Sequence, residues 1–182
     1  WSSDVCSSDL IVCPDVECHD ISRYNRLKYE MKELYFNAGV MLINLDWWRK
    51  NHVNEKALNY LARNSAKCLF QDQDALNRIL HGTVKFESSK YNAMPSFFSQ
   101  KSENLLIDYR LLEKIRAELK EPVIIHYAGK IKPWYTEYHK YEYPFGKVYL
   151  HFIKKSGINL SLKSAPTGER KNLKWLAKKI LV

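Results

Sequence analysis

Phe36-Asn37-Ala38-Gly39-Val40-Met41-Leu42-Ile43-Asn44-Leu45 decides how this chain is read. The first four residues read as a turn, because Asn and Gly suit turn conformations. Val40 to Leu45 is almost continuously apolar, which predicts a strand covered on both faces. Such a strand needs helices above and below it, and the flanking sequence supplies them. Asp46 is placed to cap a helix with Val53, Ala57, Leu58, Leu61 and Ala62 on one face. Asp72 or Asp74 is placed to cap another, with Ala75, Leu76, Ile79 and Leu80, stopped by Gly82. Val84 and Phe86 alternate with polar neighbours, as in a strand. Asp108 opens a helix through Leu111, Leu112, Ile115 and Leu119 that ends at Glu121-Pro122, and Val123 to Tyr127 forms the next strand. Upstream, Ile11 to Asp15 is a short strand, and Arg23 to Glu33 is a charged surface loop or short helix. Helices alternating with apolar strands predict an α/β layer structure.

The 182 residues suffice for one domain with a real core. With 46% hydrophobic and 13% aromatic residues the chain is globular. No apolar run reaches the ~18 residues of a membrane span, and the start lacks the pattern of a signal peptide. Cys6, Cys13, Cys18 and Cys68 form no CxxC pair. Cys13, Cys18 and His19 match no zinc spacing, so reduced cytosolic thiols are the expectation.

The net charge of +9 is uneven. From Lys154 onward there are eight basic residues against one acid, Glu169. The body is close to neutral and the tail is cationic, which suggests an anionic surface as partner and not a nucleic acid. Residues 172–182 can form a helix with Leu173, Leu176, Ala177, Ile180 and Leu181 on one face and Lys171, Lys174 and Lys178 opposite. It either lies on an anionic bilayer or packs on its own domain. At the other end, Trp1 to Leu10 repeats Ser-Ser-Asp without helical or strand period. Residues 1–10 read as foreign to the gene or as a disordered linker.

Four clusters can carry chemistry. Ile124-Ile125-His126-Tyr127-Ala128-Gly129-Lys130-Ile131-Lys132-Pro133-Trp134 ends a strand in an imidazole, then offers a glycine turn and a lysine. Bare backbone N–H groups and fixed positive charge both suit phosphate oxygens; His126 is otherwise a satisfied polar group. Gln71-Asp72-Gln73-Asp74 either caps its helix or holds sugar hydroxyls. Asn37 serves a turn or faces a ligand. Asp15, at a strand end, is the fourth.

In this order the clusters resemble bacterial glycosyltransferase family 8, which includes lipopolysaccharide galactosyl- and glucosyltransferases. The matching pieces are Pro14-Asp15, residues 35–45 with Trp48, Phe70 to Asn77, Tyr91-Asn92-Ala93-Met94-Pro95, and His126-Tyr127-Ala128-Gly129 with Lys132-Pro133-Trp134. The resemblance implies a GT-A fold over residues 11–150, with 151–182 as a basic, partly helical tail. It implies a retaining transfer of a hexose from a UDP-sugar to a glycan or lipid-linked glycan, with Mn²⁺ or Mg²⁺. His126 would be a metal ligand. Gly129 and Lys132 would meet the diphosphate, Asn37 and Asp15 the donor sugar, and Asp72 and Gln73 the reacting centre. In that family a DxD motif upstream of the Pro-Asp segment supplies two further metal ligands, and no counterpart stands here. The chain is therefore expected to be the C-terminal part of such an enzyme, inactive alone, cytoplasmic or peripheral on the inner membrane face. The competing reading is a non-enzymatic module that binds carbohydrate or a membrane surface.

Overall fold

The computed structural model describes residues 10–15, 21–30, 33–98, 109–140 and 142–166. The predicted tail helix at 172–182, the Asp108 cap and residues 1–9 lie outside the described residues. Within them, the expected α/β layering holds. Strand β1 (Leu10–Pro14) is central, paired antiparallel to β2 (Phe36–Ile43) and parallel to β3 (Lys85–Phe86). All five β1 residues are buried. Each buried aliphatic side chain there contributes about 1.5–3 kcal/mol. Leu10, the last residue of the opening decapeptide, is fully buried opposite Ile43, so it is not disordered.

Two strand expectations need correction. The strand covered on both faces is β1, not 40–45; β2 keeps Leu42 45% exposed. Phe36 to Gly39 is not a turn before a strand but part of β2. Val12 pairs with Met41, whereas the next residue, Cys13, pairs with Asn37. Ala38, Gly39 and Val40 are thus extra residues bulged out of the ladder. A bulge re-aims side chains without ending the strand. The second correction concerns Val123 to Tyr127, which makes only an isolated bridge, Ala93 to Ile125. His126 N–H donates to Ala93 O at 2.9 Å, and Ala93 N–H to Ile124 O at 2.9 Å. These bonds bring residue 92 beside residue 126.

The helix caps also differ from expectation. Asn44, not Asp46, caps α2 (Leu45–Lys50), accepting from the N–H groups of Asp46 and Trp47. His52, at φ 52, separates α2 from α3 (Val53–Asn64), where Val53 is buried but Leu58 is 66% exposed. Helix α4 (Gln71–Ile79) has no side-chain cap at Phe70. Instead Asp74 reaches back and accepts the Phe70 N–H at 2.9 Å.

Asp74 is fully buried, and it ties three elements together. It also accepts from the Tyr35 hydroxyl at 2.7 Å and from Arg26 at 3.2 Å, on helix α1 (Ile21–Leu27). Burial first, then the Asp74 carboxylate, pushes the Tyr35 hydroxyl pKa up, so it stays protonated as the donor. Arg23, expected on a charged surface, is instead 2% exposed, with its guanidinium 4.4 Å from the Tyr35 ring and 4.5 Å from that of Phe70. Asn77 completes the docking: its amide bonds both backbone groups of Phe36 at 2.8 Å, as a neighbouring strand would. Asp74→Ala leaves buried donors and Arg26 without this acceptor. It is expected to cost about 3–5 kcal/mol in chemical denaturation.

Downstream, α5 (Tyr109–Glu118) and the residue after it pack Ile115 and Leu119 on Ala93, Met94 and Phe97. Helices α6 (Thr136–Lys140) and α7 (Gly146–Ser156) enclose a tyrosine cluster in which the Tyr127 ring meets those of Tyr138 and Tyr149 edge-on. Helix α7 crosses the boundary expected at 150/151. Among the described residues no helix is long and apolar enough to cross a membrane. Cys13 and Cys68 are buried free thiols. Burial first, then Glu87 and Glu118, pushes Cys13 up to about 12, so it is not a nucleophile near neutral pH.

Candidate active site

The end of β1, the β2 bulge and the first turn of α4 converge. Asp15 is 5% exposed and is held by its own N–H, which donates to Tyr35 O at 2.9 Å. Its Oδ2 accepts from Gln73 Nε2 at 2.9 Å and from Asn37 Nδ2 at 3.1 Å. Asn37 Nδ2 also donates to Gln73 Oε1 at 3.2 Å, and the same oxygen takes the Ala38 N–H at 3.0 Å. Three of the residues singled out in the sequence therefore form one hydrogen-bonded set. They are joined because the bulge turns Asn37 and Ala38 N–H towards α4.

A second pair joins them. Asn37 Oδ1 accepts the Gly39 N–H at 2.9 Å and Asn92 Nδ2 at 3.0 Å. Asn92 is fully buried, and its Oδ1 lies 2.9 Å from His126 Nδ1. Sequence reasoning assigned Asn92 no role. The one signal was its place in the Tyr91-to-Pro95 motif; its pairing with His126 depends on the non-local bridge at Ala93.

His126 is half-buried against Gly39. A Cβ on Gly39 would stand 2.9 Å from Nε2, closer still to Cε1, and 3.0 Å from Asn37 Oδ1. Only glycine lets the ring sit there. Burial lowers the His126 pKa, Lys132 lowers it further and Asp15 opposes them. The imidazole is thus kept neutral, the form that binds metals.

The other singled-out residues stand around this set. Gly129 is exposed at φ 86, a left-handed conformation that glycine adopts freely. Lys132 Nζ donates to Tyr127 O at 2.8 Å and lies 6.0 Å from the Trp134 ring centroid. Asp72, on the α4 turn with Gln73, is exposed and outside the hydrogen-bonded set. Gln71, at its start, has φ 41, a strained value for a residue with a side chain.

By the chemistry of its donors, this set could offer a divalent ion one ligand, His126 Nε2, since Nδ1 is engaged by Asn92. Among the described residues no three His, Cys, Asp or Glu side chains gather as a complete metal site. The chemistry available is therefore hydrogen bonding to hydroxyls from Asp15, Asn37 and Gln73, beside one metal-competent imidazole and one lysine ammonium bonded to a backbone carbonyl.

Comparison with known proteins gives the family and the fold. The sequence profile of Glycosyl transferase family 8 matches residues 12–137. The chain is 31% identical over 147 residues to the lipopolysaccharide 1,2-glucosyltransferase of Escherichia coli K12, covering 80% of this chain and 41% of that protein. It is 30% identical over 141 residues to a putative glycosyltransferase of Haemophilus influenzae, covering 75% of this chain and 39% of the relative. The chain thus spans about two-fifths of each. Among solved structures, galactosyltransferase LgtC, crystallised with donor and acceptor sugar analogues, superposes with a TM-score of 0.71 at 23% identity. The superposition covers 94% of this chain and 58% of LgtC, and it shows the shared α/β GT-A fold.

Proposed function

The chain belongs to glycosyl transferase family 8, and on that premise we propose that it forms part of a retaining hexosyltransferase. The donor is a UDP-hexose, and the acceptor is a glycan or lipid-linked glycan of the lipopolysaccharide or capsule type. The observation that carries this reading is the hydrogen-bonded set running from Asp15 through Gln73 and Asn37 to Asn92 and His126. It links side chains able to bond hydroxyls to an imidazole able to bind a metal, which supports the reading.

Within that reading each residue has a task. Bound Mn²⁺ or Mg²⁺ would neutralise charge that develops on the leaving diphosphate. His126 would hold it through Nε2, with further ligands from the diphosphate and from outside the described residues. Lys132 would leave the Tyr127 carbonyl for a phosphate oxygen, and Gly129 would allow the backbone close to it. Asp15 and Asn37 would orient hexose hydroxyls.

Gln73 Oε1 already accepts from Asn37 and Ala38, so its lone pairs are engaged. That supports a role in positioning the reacting carbon rather than attacking it, with the acceptor hydroxyl arriving on the face the diphosphate leaves. Exposed Asp72 would meet the incoming acceptor on the solvent side.

We place the enzyme in the cytoplasm, in contact with the inner membrane face. Lys147, Lys154 and Lys155 stand on α7 among exposed Val148 and Phe152, and support contact with an anionic surface.

The complete protein, given UDP-hexoses, Mn²⁺ and a truncated lipopolysaccharide, is expected to release UDP and form a product with the donor's anomeric configuration by NMR. Chelation with EDTA is expected to stop it. Glycan binding without UDP release from any UDP-hexose contradicts the proposal and favours a binding module.

A further inference from the structure

We propose that Asn92 is a positioning residue that fixes His126 as the Nδ1–H tautomer and leaves the Nε2 lone pair unprotonated, ready for a metal. The inference rests on the metal-binding reading of His126 given above, and it deepens that reading.

Two kinds of group in this set have a hydrogen-bond sense that cannot change. A carboxylate only accepts, and a backbone N–H only donates. Asp15 Oδ2 faces both Gln73 and Asn37, so each side chain must turn its NH₂ group to it. The backbone demands the same orientation independently. Ala38 N–H requires an oxygen from Gln73, and Gly39 N–H requires an oxygen from Asn37. Asn37 is therefore locked with Oδ1 towards Gly39 and Asn92.

Asn92 faces that oxygen at 3.0 Å, so it presents its own NH₂. Its Oδ1 is then left for His126 Nδ1 at 2.9 Å. A carbonyl oxygen can only accept, so Nδ1 carries the proton. A neutral imidazole has a single N–H, so Nε2 is bare.

Asn92 is fully buried, Asn37 is 7% exposed and Asp15 5%. Water is thus kept from rescuing a reversed amide, and a reversed amide would set oxygen against oxygen. The polarity of the whole chain of bonds runs one way, from the imidazole N–H to the Asp15 carboxylate. Partners that orient a ligating histidine this way are typically worth about 10–100-fold in metal affinity.

The test is ¹⁵N NMR of the His126 ring in the complete, metal-free protein above neutral pH, with the signals assigned by their loss in His126→Ala. The expected wild-type pattern is a protonated Nδ1 and a bare Nε2. Asn92→Leu removes the acceptor and is expected to give mixed tautomers, with Mn²⁺ affinity by EPR weakened roughly 10–100-fold. A wild-type ring protonated at Nε2 overturns the proposal, whether or not the variants fold. So does an Asn92→Leu spectrum identical to wild type. If the Nδ1–H tautomer is found but His126→Ala leaves Mn²⁺ affinity unchanged, the positioning role stands and the metal-binding reading of His126 fails.

Discussion

His126→Ala in the complete protein is expected to lower metal-dependent sugar transfer by at least 10²–10³-fold. The estimate follows from what the ring does. A metal at a developing diphosphate charge is worth several kcal/mol, and each ~1.4 kcal/mol is tenfold in rate. The alanine removes the one metal-competent imidazole of the buried network, while leaving Asp15, Asn37 and Gln73 bonded to one another. The fold should survive, because His126 is half-buried and its backbone bond to Ala93 is kept. Mn²⁺ titration followed by a transfer assay measures the effect. A variant with normal Mn²⁺ dependence and a normal rate contradicts the assignment.

Gly39→Ala is expected to have the next largest effect on activity, about 10²-fold, with a much smaller effect on folding. The added methyl group would stand 2.9 Å from His126 Nε2 and 3.0 Å from Asn37 Oδ1, and closer still to Cε1. None of these neighbours can accept it in place, so the ring or the amide must shift. A misplacement of about 1 Å at a reacting centre costs on the order of 10²-fold. Gly39 itself is exposed on a bulge, so overpacking is expected to lower stability by no more than about 1–3 kcal/mol. The reason for glycine here is space for the imidazole. In the double variant with His126→Ala the two losses should not add, since both act on one ring. Kinetics of the single and double variants check this; fully additive losses would separate Gly39 from His126.

Much of the architecture was legible because it is local. Apolar runs and helical spacing located β1, α3, α4 and α5 from a few neighbouring residues. Asp15, Asn37, Gln73 and His126 were legible as candidates because their clusters, in this order, resemble the motifs of one family; each alone also fitted a turn, a cap or a satisfied polar group. What stayed hidden is what depends on partners far away in sequence. Asn37-Ala38-Gly39 looks like a turn until β1 is seen to absorb it as a bulge. Asp74 looks like a cap, yet its carboxylate serves Tyr35 and Arg26, 39 and 48 residues away. Arg23 looks solvated until its guanidinium is seen between two rings. Asn92 meets His126 across 34 residues, only because Ala93 bridges to Ile125. Buried polar groups of this kind are chosen by geometry that no local window contains.

The most direct measurement is a crystal structure of the complete protein with Mn²⁺ and a non-transferable UDP-hexose analogue, read by the anomalous signal of the ion. The ion is expected roughly 2.0–2.3 Å from His126 Nε2, the usual span of such bonds, with Lys132 moved from Tyr127 O onto the diphosphate. An ion bound to the diphosphate with the His126 ring turned away from it would remove His126 from the metal site.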